Sequence, residues 1–260
     1  MLKDKNAIVT GSTSGIGLAV AYALAKQGCN IMLNGFGDKA VIDKEVADIR
    51  QKFGVKVEYS PADMTKPEEI AGMVALCEKS FGSVDILVNN AGIQYTAPVT
   101  GFPEEKWDAI IAINLSSAFH SVKAALPSMQ KNNFGRIVNI ASVHGLVAST
   151  NKAAYVAAKH GIVGLTKVIA LENAEANITC NAICPAWVHT PLVQKQIEDK
   201  AKEQNISIDE ATGRLLGEKQ PNKRFIKPEQ IGEFIVFICG DNGGSMTGEI
   251  LTMSGGWLAQ

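Results

Sequence analysis

Asn6-Ala7-Ile8-Val9-Thr10-Gly11-Ser12-Thr13-Ser14-Gly15-Ile16-Gly17 is the stretch on which the reading of this chain turns. Residues 6–10 form a short apolar run that stops at a glycine, the pattern of a strand buried on both faces. An alanine-rich apolar stretch then runs to Gln27 and ends at Gly28, a helix with its stop signal. A strand, a glycine-rich turn and a helix N-terminus make an anion site. Backbone N–H groups and the positive end of the helix dipole face a phosphate, and glycine lets the backbone come close. Gly11, Thr13, Ser14, Gly15, Ile16 and Gly17 are therefore candidate dinucleotide contacts. The spacing is GxxxGxG rather than GxGxxG, and a plain glycine-rich turn has the same composition.

Working outward, Ile31–Asn34 reads as a second strand. Dinucleotide sites often carry an acid at its end to hold the adenosine ribose. Here the end reads Asn34-Gly35-Phe36-Gly37-Asp38, with neither a carboxylate at that spot nor an arginine for a 2′-phosphate. Phe36 on the adenosine side crowds out a phosphate, which favours NAD over NADP. Asp38 reads as a helix N-cap. Helical patterns follow over 40–53, 66–81, 104–131 and 228–239, with strands over 55–60, 84–88, 135–142, 179–183 and 250–253. This alternation predicts an α/β fold: a single Rossmann-like doubly wound domain over residues 1–260, with a seven-stranded parallel sheet and helices on both faces. Residues 190–225 are richer in charge and break the alternation, so they read as a helical substrate lid.

The formal net charge of -1 and the lack of a basic run argue against nucleic acid or an anionic membrane as the main partner. Five cysteines lie scattered in apolar segments with no CxxC pair, which argues against a disulfide framework or a metal site. A reducing, cytoplasmic compartment is expected. Met1–Lys5 leads straight into the first strand without the apolar core of a signal peptide, and no run of about 18 apolar residues exists to span a membrane.

Ligands on open parallel sheets bind at the carboxyl ends of the strands, and several polar residues fall there. Asp63 follows the third strand, placed either to accept from an adenine amine or to cap a turn. Asn90 and Gly92 follow the fourth, where a backbone touches a ligand or simply turns. Asn114 lies on the apolar face of the 104–131 helix and needs partners there, either backbone or a held water. Ser142 ends the fifth strand. Thirteen residues on come Tyr155 and Lys159, one helical turn apart on one face. The ammonium favours phenolate, which would let Tyr155 move a proton near neutral pH. An exposed tyrosine above a solvated lysine has the same spacing.

Thr10-Gly11-xxx-Gly15-x-Gly17, Asn89-Asn90-Ala91-Gly92, Asn114, Ser142, Tyr155-xxx-Lys159 and Pro185, in this order, resemble the short-chain dehydrogenase/reductase family over essentially the whole chain. Ala186 departs from the glycine that many members carry after the proline. The resemblance implies a nicotinamide cofactor contacted also by Pro185, Val188 and Thr190, and a catalytic set of Asn114, Ser142, Tyr155 and Lys159. Ser142 would orient a substrate hydroxyl, Tyr155 take its proton, Lys159 hold the nicotinamide ribose, and Asn114 fix a water. The runs Asn34–Gly37, Gly92-Ile93-Gln94, Ser142–Gly145, Asn151-Lys152, Ala186-Trp187-Val188 and Lys195-Gln196-Ile197 are similar to the branch of the family that oxidises D-3-hydroxybutyrate with NAD. For such a hydroxy acid, Gln94, His144, Lys152 and Gln196 are the polar donors to its carboxylate, and Trp187 walls its methyl end or packs as core. Trp257 either lines the site or packs structurally. A homotetramer pairing the 104–131 and 155–174 helices between subunits is also implied. A reductase of another small carbonyl or a 3-oxoacyl thioester is the rival enzyme, and a non-catalytic NAD-binding regulator the rival class.

Overall fold

The structure is a computed structural model and describes residues 2–259. Seven strands form one sheet: β1 (Asn6–Val9), β2 (Asn30–Asn34), β3 (Val57–Ser60), β4 (Ile86–Asn89), β5 (Gly135–Ile140), β6 (Ile178–Pro185) and β7 (Ile250–Met253). Their order is β3-β2-β1-β4-β5-β6-β7, and every pairing is parallel. The chain winds outward from β1 to β3 and returns to the other side of β1 at β4. The order reverses between β1 and β4, and the crevice at such a switch point is where doubly wound sheets take their ligands.

Alternation along the strands explains the two helical layers. Ala7 and Val9 of β1 pack with Val20 and Leu24 of α1 (Gly15–Lys26) and Ile231 and Ile235 of α9 (Pro228–Cys239). Ile8 points the other way, onto Ile70 and Met73 of α3 (Pro67–Phe81) and Val122 of α5 (Ser117–Asn132). A strand whose residues all find an apolar neighbour must be apolar throughout, since each buried isoleucine or leucine contributes roughly 1.5–3 kcal/mol. Asp38 caps α2 (Lys39–Phe53) as expected, its Oδ1 accepting from the N–H groups of Ala40 and Val41 at 2.9 and 3.1 Å.

The 104–131 segment departs from its prediction. It is helical, but α4 (Glu104–Ile111) passes into a π turn over Ala112–Ser116 before α5 resumes. A π turn adds a residue to the helical repeat, and such turns favour functional sites. Asn114 sits inside this one. The segment and α6 (Ala153–Glu172) both have the length and mean hydropathy of membrane-crossing helices. Here their apolar residues serve the core: Val122, Ala125, Ile169 and Ala170 pack against the sheet. The charged 190–225 stretch holds two helices, α7 (Pro191–Gln204) and α8 (Ile208–Gly217), joined through Ile197, Ala201 and Ala211.

Candidate active site

A cavity of about 460 Å³ opens at the carboxyl ends of the strands. One end is the turn between β1 and α1. Gly11 and Gly15 take positive φ, +62° and +57°, conformations that side chains disfavour. Gly17 is there for space: a Cβ on it would lie 2.4 Å from the Gly11 carbonyl and 2.5 Å from Asn90 Nδ2. Asn90 explains the tightness, because its Nδ2 donates to the carbonyls of Thr10 and Gly11 at 2.8 and 3.0 Å. Thr10 Oγ1 returns the tie by accepting from the N–H groups of Asn90 and Ala91. The first turn of α1 carries no acid, and the Ser14 hydroxyl does not cap it. Thr13, Ser14, Gly15 and Ile16 all line the cavity. A cradle opened by glycines at an uncapped helix N-terminus, with the Thr13 and Ser14 hydroxyls beside it, fits a dinucleotide phosphate. Gly17→Ala should force the turn apart, weakening cofactor binding at least tenfold and stability by about 1–3 kcal/mol. Calorimetric titration and thermal melts would read both.

The adenosine end shows how the sequence replaces the usual acid. Asn34 spends its side chain on backbone, accepting from Gly11 N–H and donating to the carbonyls of Ser60 and Ala62. It therefore braces the turn instead of reaching for a ribose. Phe36 lines the cavity and is 68% exposed. Its carbonyl accepts from Thr13 Oγ1 at 2.9 Å. Asp63 also lines the cavity while its Oδ1 accepts from Thr65 N–H and Oγ1. Those two bonds hold its carboxyl below the usual range. Asp63 thus caps the turn, and it does so at the wall of the cavity.

The other end holds the reacting groups. β5 stops at Ile140, two residues earlier than expected, and Ser142 lies in the extended link before a short turn over Val143–Gly145. Tyr155 projects from α6 beside it, and the Lys159 ammonium lies 5.6 Å from the Tyr155 ring centre. Lys159 Nζ donates to the Ile140 carbonyl at 2.7 Å. Ser142, Tyr155 and Lys159 all line the cavity, as do Gly92, Gln94, Pro185, Trp187, Val188, Thr190 and Gln196. Thr190 and Gln196 arrive from the N-cap and first turns of α7, so that helix borders the cavity, whereas no residue of α8 is among the described lining residues. Thr190 Oγ1 caps α7 by accepting from Val193 N–H.

Three expectations are narrowed by the geometry. Asn114 does not present a free amide: its Oδ1 accepts from Ile93 N–H and its Nδ2 donates to the Ile93 carbonyl, both at 2.9 Å. It clamps the loop after β4 with one of its two amide hydrogens and one lone pair of its oxygen, and the second hydrogen is not used by Ile93. Secondly, Lys159 does not pull the Tyr155 phenol below its ordinary value here. Burial pushes the phenol up, opposed by a hydrogen bond from Ser142, and burial pushes the Lys159 ammonium down to about 8. Spacing along a helix reveals adjacency but not desolvation, which penalises both charged forms at once. Thirdly, His144 and Lys152 do not line this cavity directly. They stand behind it, with the Lys152 ammonium 5.4 Å from the Trp187 ring centre and the His144 ring edge-on to Tyr155 at 5.9 Å.

That second layer contains residues the sequence reading overlooked. Lys219, just past α8, donates to Ser149 Oγ at 2.8 Å, and Ser149 Oγ lies 2.9 Å from His144 Nε2. Trp257 stands edge-on to His144 at 5.5 Å, with the Lys219 ammonium 5.5 Å from its ring centre. Burial first, then Lys152 and Lys219, pushes His144 down to about 4, so the imidazole is neutral at physiological pH. Nothing in the order of residues pointed to Ser149 or Lys219, which lie far apart in the chain.

Comparison with known proteins agrees with this geometry. The family model described as enoyl-(acyl carrier protein) reductase matches residues 11–258. The chain is 54% identical over 260 residues to a D-beta-hydroxybutyrate dehydrogenase of Cupriavidus necator, covering 100% of both chains. It is 52% identical over 256 residues to the D-beta-hydroxybutyrate dehydrogenase of Rhizobium meliloti, covering 98% of this chain and 99% of that one. The structure of L-sorbose reductase from Gluconobacter frateurii, complexed with NADPH and L-sorbose, superposes with a TM-score of 0.95 at 29% identity, covering 100% of this chain and 98% of that one. A glycine cradle at the switch point, a serine, tyrosine and lysine gathered at the far end of the same cavity, and these full-length matches place the chain in the short-chain dehydrogenase/reductase family of oxidoreductases.

Proposed function

We propose that this protein oxidises D-3-hydroxybutyrate to acetoacetate, reversibly, with NAD as the hydride acceptor. The observation that carries the reading is Tyr155 standing between Ser142 and Lys159 in the cavity onto which the glycine cradle opens. Two full-length relatives named for this activity support the substrate. Exposed Phe36 and the carboxylate of Asp63, with no lysine or arginine among the described lining residues at that end, support NAD over its 2′-phosphorylated form.

Bound NAD would supply the acceptor for the hydride that leaves the carbinol carbon. Gly11, Thr13, Ser14, Gly15, Ile16 and Gly17, with Phe36, Asp63, Asn90, Gly92, Pro185, Val188 and Thr190, would hold it. Ser142 orients the substrate hydroxyl and Tyr155 takes its proton as the carbonyl forms. Lys159 steadies the phenolate electrostatically, and Asn114 holds the 90–94 loop in register. Gln94 and Gln196, which line the cavity, face the carboxylate, Lys152 beside Trp187 supplies the countercharge, His144 stays neutral behind Ser142, and Trp187 walls the methyl group. General acid–base catalysis of this kind contributes about 10²–10⁴-fold.

The protonation states set a pH profile. Phenolate with ammonium and phenol with amine contain the same number of protons, so loss of one proton from the pair creates the base form. Lys159, already pushed down to about 8, makes that loss easiest near that pH. The kcat/KM for oxidation should rise as pH passes through about 8, and that for acetoacetate reduction, which needs the phenol protonated, should fall over the same range. Initial rates in both directions check it, and parallel profiles would reject the assignment. The substrate itself is tested by following NADH absorbance with D-3-hydroxybutyrate, with its L enantiomer, and with NADP replacing NAD. Turnover of a 3-oxoacyl thioester with NADPH, and none of the D acid, would favour the rival enzyme.

The same reading takes residues 1–260 as one domain with α7 and α8 as the lid, in a homotetramer. Exposed Phe119 on α5 and Val168 and Leu171 on α6 support pairing of these helices between subunits. Five free, buried cysteines support a cytoplasmic location.

A further inference from the structure

We propose that Lys219 is a positioning residue that sets the direction of a hydrogen-bond chain ending on Tyr155. The inference rests on the reading of Tyr155 as the base. The chain runs from Lys219 Nζ to Ser149 Oγ (2.8 Å), to His144 Nε2 (2.9 Å), and from His144 Nδ1 to Ser142 Oγ (3.4 Å). Ser142 then meets the Tyr155 hydroxyl.

An ammonium can only donate, so the first link has a fixed direction. Ser149, with its oxygen engaged by a cation, becomes the better donor and turns its proton toward His144 Nε2. The Lys152 and Lys219 charges also favour a lone pair, rather than an N–H, on that side of the ring. The neutral imidazole therefore carries its proton on Nδ1 and donates to Ser142 Oγ. Ser142 Oγ already accepts from His144 N–H at 3.2 Å. With both lone pairs engaged, its own proton has two acceptors, the Pro185 carbonyl at 3.5 Å and the neighbouring Tyr155 oxygen, of which the phenol oxygen, the one that gains charge in the base form, draws it more strongly. A donor aimed at Tyr155 favours phenolate over phenol. Trp257, packed against both His144 and Lys219, holds the two ends of the relay in place.

The charged and titratable groups around the relay are few. His144 faces Lys152, Lys219, His160 and Tyr155, Lys219 faces Glu218 and Lys152, and Tyr155 faces Lys159 and Cys184. Of these, Lys219 alone bonds to the relay from outside the segment that runs from Ser142 to Lys159.

The test uses the full-length protein. In ¹⁵N NMR without substrate, the His144 ring, assigned by its loss in His144→Gln, should carry its proton on Nδ1. In Lys219→Met and Ser149→Ala, the Nε2–H form should appear. The same two variants should move the ionisation that limits oxidation up by about one pH unit, lowering kcat at pH 7 roughly tenfold with the KM for NAD unchanged. Lys219→Arg should restore both readouts. A wild-type ring protonated on Nε2 overturns the relay. So does a pH profile unmoved in both variants, or a Lys219→Met effect confined to the KM for the acid. Should the wild type turn over no 3-hydroxybutyrate, the substrate reading fails alone, because the NMR result decides the hydrogen-bond direction without it.

Discussion

Tyr155→Phe should reduce kcat for oxidation by at least about 10³-fold, near the upper range for loss of a general base, while NAD binds with its affinity changed less than twofold. In the proposed mechanism the hydroxyl would meet both Ser142 and the reacting oxygen, and among the described residues no other side chain at that end of the cavity is placed to accept its proton. Lys159 is committed to the Ile140 carbonyl, and His144 is neutral behind Ser142. The ring itself contributes packing that phenylalanine keeps, including the edge-on contact with His144 and the approach of Lys159. The glycine cradle lies at the opposite end, tied together by Asn90 and Asn34. Single-turnover rates and calorimetric NAD titration separate the two effects. Full activity in this variant would remove the phenol from the mechanism.

Lys152→Met should raise the KM for 3-hydroxybutyrate about 10- to 100-fold, the worth of a charge-assisted hydrogen bond, with the KM for NAD unchanged within twofold. Lys152 is half-buried, and among the described residues no carboxylate forms an ion pair with it. Burial, and then Lys219, pushes its ammonium below the ordinary value. A carboxylate arriving beside Trp187 would relieve that unfavourable state, which is what makes two lysines a recognition device. Methionine retains the stem packed near Trp187 and removes only the charge, so loss of packing does not obscure the result. Equal rises in both Michaelis constants would mean that the site had deformed, and would reject the pairing.

The contrast between these residues shows how far a sequence carries. Gly17 was readable because it sits in a strand–turn–helix unit whose period changes where the turn lies, although the Asn90 side chain that crowds it comes from far along the chain. Tyr155 and Lys159 were readable because four residues on a helix is a fixed geometry. Asn114 was found with two roles open, and only the structure shows the bonds to backbone. Its partner, Ile93, is twenty-one residues away, and the π turn that aims it leaves no mark on the hydrophobic pattern. Lys219 was not found at all, because seventy residues separate it from Ser149.

The amino-acid order alone therefore determined the alternating elements and the parallel sheet, which arise from local periodicity, and it offered the glycine turn and Tyr155 as candidates that the family resemblance singled out. Only the tertiary structure decided which polar atoms were already satisfied, which cations were left facing one another, and in which direction burial moves each proton. Those properties depend on what surrounds a group in space, and desolvation and hydrogen-bond saturation have no period along the chain.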